Sequence, residues 1–265
     1  MAPTPEWTSE HDFTLDGVSY RSMTNRSAPD QMVLLKTREM VEGYEALLAE
    51  LQPRRVLELG IYSGGSAALI SQLARPDKLV ALDIVPDCPP LERFIDAHDL
   101  RDRLAAHYGV DQADVDRLDQ IMDAEFGGVP IDLVLDDASH LDGPTRASFN
   151  RLFPHLRPGG VYLLEDWSWA HNRLAHHETA YQGVTPMSAL ILELVLASAC
   201  RPRVVAEVTV RYHWVIVRRG PADLHPSRFD LSAQFDPVGQ AMIDRLRTVR
   251  SLEAEADTDV LRGWR

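Results

Sequence analysis

Apolar residues fall along this chain in two rhythms. Met40, Val41, Tyr44, Leu47, Leu48 and Leu51 recur at helical spacing and predict an amphipathic helix, which Pro53 stops. Beyond it, short apolar runs alternate with amphipathic stretches. The runs at 55–59, 78–83, 131–136 and 161–165 are unbroken enough to be strands buried on both faces, and 103–108 is a weaker one. Helices are predicted between them, over 66–73, 90–97 and 113–126. Asp142 is placed to cap the next helix and Pro144 fits its first turn. Its buried face is Phe149, Leu152, Phe153 and Leu156, and RPGG at 157–160 ends it. Thr185 and Pro186 open another helix that runs to about residue 199. Residues 203–218 are rich in β-formers and too long for one strand, so they read as two with a bend near Arg211.

Strand and helix in alternation predict an α/β fold, a doubly wound and mostly parallel sheet. The polar, turn-rich residues 1–30 read as an arm or lid that leads into the first helix. Residues 31–220 then form the main domain, and 221–265 a tail with a final helix near 236–254. In such sheets ligands bind at the carboxyl ends of the strands. Chemistry is therefore sought at 58–66, 83–86, 109–112, 136–140 and 165–171.

Composition narrows the classes. Of 265 residues, 45% are hydrophobic and 25% charged, as in ordinary globular domains. Lys+Arg is 27 against 40 Asp+Glu, a net charge of −13, which disfavours a nucleic-acid partner. Cys88 and Cys200 show no CxxC or Cys/His spacing, so neither a disulfide framework nor a thiolate metal site is expected, and a cytoplasmic location is. The first residues show no basic-then-apolar leader, and no apolar run approaches the roughly 18 residues of a membrane span. A small-molecule partner fits best, and a homo-oligomer is left open.

The first motif, ELGIYSGGS at 58–66, follows the first strand of the alternation. Its glycines allow a ligand close to the backbone, and the next helix presents free N–H groups. Asp83 ends the following strand, where an acidic side chain can accept both ribose hydroxyls. Glu58, Gly60, Gly64 and Gly65 depart from GxGxxG, which disfavours a pyrophosphate cradle. The segment LDDASH at 135–140 gathers Asp136, Asp137 and His140, and Glu165 and Asp166 end the next strand. If the strands are neighbours, Asp137, Glu165 and Asp166 converge. Oxygen ligands without thiolate suit a hard divalent ion such as magnesium. Successive strand residues face opposite sides, so Asp136 and Asp137 can exchange roles. Trp167 and Trp169 either line an acceptor pocket or pack; His171, His176 and His177 lie in a polar stretch read as a substrate lid, and the stripe 187–196 as core.

The motif at 58–66 resembles motif I of class I S-adenosylmethionine-dependent methyltransferases. That resemblance implies a Rossmann-like sheet of seven strands with an antiparallel pair at one edge, which the stretch 203–218 suits. It implies a cofactor site at Glu58, Gly60, Tyr62, Ser63, Gly64, Ser66 and Asp83, with Asp111 or Gln112 toward the adenine and Asp136 nearby. The DDxSH and ED-W pair is similar to the metal-dependent sugar O-methyltransferases of macrolide antibiotic pathways, of the macrocin and mycinamicin type. It implies that Asp137, Glu165 and Asp166 hold magnesium and that His140 is the general base on a substrate hydroxyl. Histidine as a residue type titrates near 6.5, so it suits that task. The expected reaction moves a methyl group from S-adenosylmethionine to a hydroxyl of a natural product. The alternatives are a relative acting on carbon or nitrogen, or using the cofactor without methyl transfer; last comes a nicotinamide-dependent oxidoreductase.

Overall fold

The computed structural model describes residues 3–24, 30–171 and 184–235, with 239, 241, 243 and 244 beyond. The expected helix near 236–254 lies almost wholly outside them, as do His176 and His177.

Four strands come first: β1 (Glu6–Trp7), β2 (Asp12–Leu15), β3 (Val18–Ser22) and β4 (Met32–Leu34). Helix α1 (Arg38–Leu51) follows, then β5 (Arg55–Leu59), α2 (Gly65–Ala74), β6 (Lys78–Asp83), α3 (Pro89–Ala97) and β7 (Leu104–Tyr108). The rest is α4 (Val115–Phe126), β8 (Ile131–Asp136), α5 (Asp142–Leu152), β9 (Leu156–Glu165), α6 (Ser188–Cys200), β10 (Val205–Val210) and β11 (Trp214–Arg219).

The main sheet has seven strands in the order β10-β11-β9-β8-β5-β6-β7. Strands β5 to β9 run parallel, while β11 is antiparallel to β9 and to β10. This is the class I methyltransferase architecture, with the hairpin where residues 203–218 predict it. The sheet explains the unbroken apolar runs. Val56, Leu133 and Leu135 face a core shared with α1, α2 and α3, while Leu57, Leu59 and Val134 face one shared with α4, α5 and α6. Helix α1 reaches as far as β11, one strand from the edge, where Tyr44 meets Trp214 edge-on at 5.0 Å.

Three expectations need correction. Residues 1–30 are no loose arm: β1 to β4 form a four-stranded sheet, and β3 pairs in parallel with β4, Tyr20 opposite Met32, across the expected boundary at 30/31. Phe13, Leu15 and Tyr20 are buried in the α1–α2 core. Their alternation spans too few residues to stand out among polar neighbours. Asp142 does not cap α5; Leu141 holds that position, and the Asp142 carboxylate pairs with Arg146 one turn on. The RPGG stretch does not end a helix but begins β9, with Ile131 of β8 opposite Leu156. Among the described residues, no helix is long and apolar enough to cross a membrane.

Candidate active site

The carboxyl ends of β5, β6, β7 and β8 open into a cleft of about 460 Å³. Most of the expected residues line it: Gly60, Tyr62, Ser63, Ser66, Asp83, Asp111, Gln112, Asp137, His140 and Asp166.

The glycines of the first motif are used for packing. A Cβ on Gly60 would lie 2.2 Å from the Asp137 carbonyl oxygen, and one on Gly65 2.1 Å from that of Val33. Gly64, at φ 81°, sits against Leu91 and Cys88 and starts α2. The loop can therefore run between β8 and the β4 segment only without side chains. Asp83 fixes it: its Oδ2 accepts from the backbone N–H of Ile61 and of Tyr62, each at 2.7 Å. Glu58 does not reach the cleft. It lies beneath the loop, where burial pushes its carboxyl up to about 8, against the hydrogen bond from Ser66.

Asp136 and Asp137 part company. Asp136 points into the protein, accepting from Tyr162 at 2.8 Å, Ser148 at 3.1 Å and Gln112 at 3.2 Å, and burial raises it to about 6. It lies outside the cleft lining, which is where a cofactor contact was expected. Gln112 is likewise buried, and its Oε1 accepts from the Ser139 N–H at 2.8 Å, steadying the turn that carries His140. Asp111 is exposed at the rim and caps the Ala113 N–H at 2.8 Å.

Asp137 faces the cleft. It lies with His140 and Asp166 so that one ligand atom from each falls within 4.8 Å of the others. His140 Nε2 stands 4.0 Å from Asp137 Oδ1, and His140 Nδ1 is buried with no hydrogen-bond partner among the described residues. Tyr62, His140 and Asp166 all take left-handed backbone, at φ 46°, 56° and 50°. Such strain in non-glycine residues gathers at functional sites.

Glu165, expected as a metal ligand, is fully buried and is not one of that trio. Its Oε2 accepts from Lys36 Nζ at 2.8 Å, and the same ammonium lies 2.6 Å from Asp137 Oδ2. Burial alone would lower the Lys36 pKa, but the two carboxylates outweigh it and hold the ammonium protonated. Sequence reasoning missed Lys36. The signal was there: it ends the apolar run 32–35 and is one of only two lysines in a chain with 25 arginines. Of the aromatic candidates, Trp167 packs against the α4–α6 core and donates to the Arg211 carbonyl at 2.8 Å. His171 is exposed and meets Ser188 Oγ at 2.9 Å.

The fold is that of class I methyltransferases, and comparison with known proteins agrees. Residues 57–167 match the family described as "Methyltransferase domain". The chain is 35% identical over 122 residues to mycinamicin VI 2''-O-methyltransferase of Micromonospora griseorubida, covering 43% of this chain and 27% of that protein. It is 35% identical over 119 residues to demethylmacrocin O-methyltransferase of Streptomyces fradiae, covering 42% and 27%. It thus spans about a quarter of the length of these curated relatives. Among solved structures, MycE methyltransferase from the mycinamycin biosynthetic pathway, in complex with Mg and SAH, superposes with a TM-score of 0.50 at 26% identity. That match covers 69% of this chain and 49% of MycE. The resemblance to macrocin- and mycinamicin-type sugar O-methyltransferases therefore holds over the matched region.

Proposed function

We propose that the chain is a magnesium-dependent O-methyltransferase that moves a methyl group from S-adenosylmethionine to a hydroxyl of a natural product, on a sugar of a secondary metabolite in an antibiotic pathway. The observation that carries this reading is the meeting of Asp137, His140 and Asp166 in one cleft with the glycine loop of β5. The MycE structure in complex with Mg, SAH and mycinamycin VI, 27% identical, supports the choice of acceptor class. In this reading the carboxyl ends of the main sheet, with the segment after β4, carry the transfer chemistry.

The residues fit both groups. For the cofactor, the loop 60–63 and Asp83 offer backbone and carboxylate at one wall, and Ile84 offers an apolar side chain that is 68% exposed beside them. For the metal, Asp137 and Asp166 supply the hard oxygen donors that magnesium prefers. When bound, the cofactor supplies an electrophilic methyl carbon, and the ion a positive charge that makes a nearby hydroxyl more acidic.

The chain's own task is placement and one proton. Asp83 and the glycine loop orient the cofactor wall. His140 lines the cleft with Nε2 4.0 Å from Asp137 Oδ1, and in this reading Nε2 is the atom placed to take the hydroxyl proton. Holding the acceptor oxygen in line with the methyl carbon provides most of the remaining acceleration.

The test is a transfer assay with isotopically labelled S-adenosylmethionine and a macrolide or rhamnosyl glycoside bearing vicinal hydroxyls. Label is expected in the glycoside with magnesium and not with excess chelator. Transfer at full rate in chelator, or to a carbon or nitrogen acceptor instead, would overturn the proposal.

A further inference from the structure

The most exposed large apolar side chain among the described residues is Tyr212, at 71%. It stands at the tip of the β10–β11 hairpin, where the Arg211 N–H donates to the Trp214 carbonyl at 2.7 Å. Turns this short favour Gly, Asn or Asp. This one carries Tyr212 and His213 instead, their rings edge-on at 4.3 Å. The reaction proposed above gives neither residue a task.

The tip is fastened beside the centre. The Asp166 N–H donates to the His213 carbonyl at 3.0 Å, and Trp167 Nε1 donates to that of Arg211 at 2.8 Å. Trp214 stands opposite Glu165 in the pairing of β11 with β9. With the first turn of α1, the tip encloses a shallow recess of about 60 Å³. Met40 and Trp214 line it and are buried, while Glu39 and Arg211 line it and are exposed. The recess thus joins an apolar base to a charged rim and an aromatic face.

The strand order says which part of an acceptor would reach it. The cofactor wall lies at the ends of β5 and β6, and Asp137 and Asp166 follow β8 and β9. Transfer needs the acceptor oxygen in line with the methyl carbon. The body of the acceptor therefore lies on the side of the centre away from the cofactor. The next strand in that direction is β11, about 5 Å further on.

We infer that the hairpin tip is an acceptor subsite: Tyr212 offers its ring face to a saturated, hydroxylated ring that extends past Asp166, with Glu39 and Arg211 on the rim to meet its hydroxyls. The face of an aromatic ring is its negative side and attracts the C–H face of such a ring. This rests on the O-methyltransferase reading and deepens it, because it assigns an acceptor of two rings, one at the centre and one on the tip. Tyr212 then sets specificity and takes no part in the transfer step.

The test uses the full chain with Mg2+ and S-adenosylmethionine, and compares methyl α-L-rhamnoside with an α-L-rhamnosyl disaccharide. Tyr212→Ala is expected to raise KM for the disaccharide by about 10-fold, with kcat and the KM for the one-ring acceptor within about 2-fold of the parent. Tyr212→Phe, which keeps the ring and drops the hydroxyl, should behave as the parent. If Tyr212→Ala leaves the disaccharide KM unchanged, or raises KM equally for both acceptors, the inference is wrong while the transfer reaction stands. A Phe variant as poor as the Ala variant would also overturn it, since the hydroxyl and not the ring face would then be at work. Transfer by the parent to neither acceptor counts against the sugar reading itself, and the inference falls with it.

Discussion

A single methyl group at Gly60 would meet the Asp137 carbonyl oxygen at 2.2 Å. Left-handed backbone alone costs a non-glycine residue roughly 1–2 kcal/mol. Gly60→Ala is therefore expected to destabilise the chain by more than that in urea unfolding, and to move Asp137 out of place. Glu58 makes a different prediction. Its folded pKa of about 8 lies above the ordinary carboxylate value. Stability is thus fully present below the unfolded value and is lost as pH rises toward and through 8. Glu58→Gln imitates the protonated form, so its melting temperature should gain on the parent between pH 6 and pH 9. An equal offset at both pH values would refute the assignment. His140→Ala should lower kcat by about 10²–10⁴ while leaving cofactor affinity unchanged, the usual worth of a general base.

At the scale of elements, the strands of the main sheet were legible because each carries apolar residues on both faces, and a run such as 131–136 has few other fates. The side-chain sites on their carboxyl ends were legible for the same reason, since the fold decides where those ends meet. What stayed hidden was contact across long sequence separations. Lys36 meets Glu165 across 129 positions, and Gln112 meets Asp136 across 24. Neither partner advertises the other locally. The N-terminal sheet was hidden for another reason: strands of two to five residues give the period of two too few repeats to register. That sheet is nonetheless fastened to α2, where the Tyr20 hydroxyl donates to Gln72 Oε1 and Gln72 Nε2 donates to the Leu15 carbonyl. Tyr20→Phe leaves the buried Gln72 oxygen without its donor, and a loss of about 1–3 kcal/mol by denaturant unfolding is expected.

Across the whole molecule, two cores lie on opposite faces of one sheet, and the N-terminal sheet shares the first of them. Removal of residues 1–30 would strip Phe13, Leu15 and Tyr20 from that core. The shortened chain is expected to aggregate in size-exclusion chromatography rather than to run as a trimmed domain. Metal linkage acts on the same scale. An ion that binds only the folded chain stabilises it by about 2.7 kcal/mol at a hundredfold excess over Kd. Magnesium should therefore raise the melting temperature, and a chelator should reverse the rise. An unchanged transition at millimolar magnesium would count against the proposed centre.

Asp136 and Asp137 are neighbours in the chain, yet one braces the fold from inside and the other looks into the cleft. Their two tasks are therefore separable. A relative that keeps the first aspartate but has lost the second should still assemble the same sheet and glycine loop. It would pass every test of overall likeness while lacking the proposed metal ligand. Under the magnesium-dependent reading proposed above, the second letter of that doublet, together with the histidine three places on, is the pair to look for in other chains of this shape.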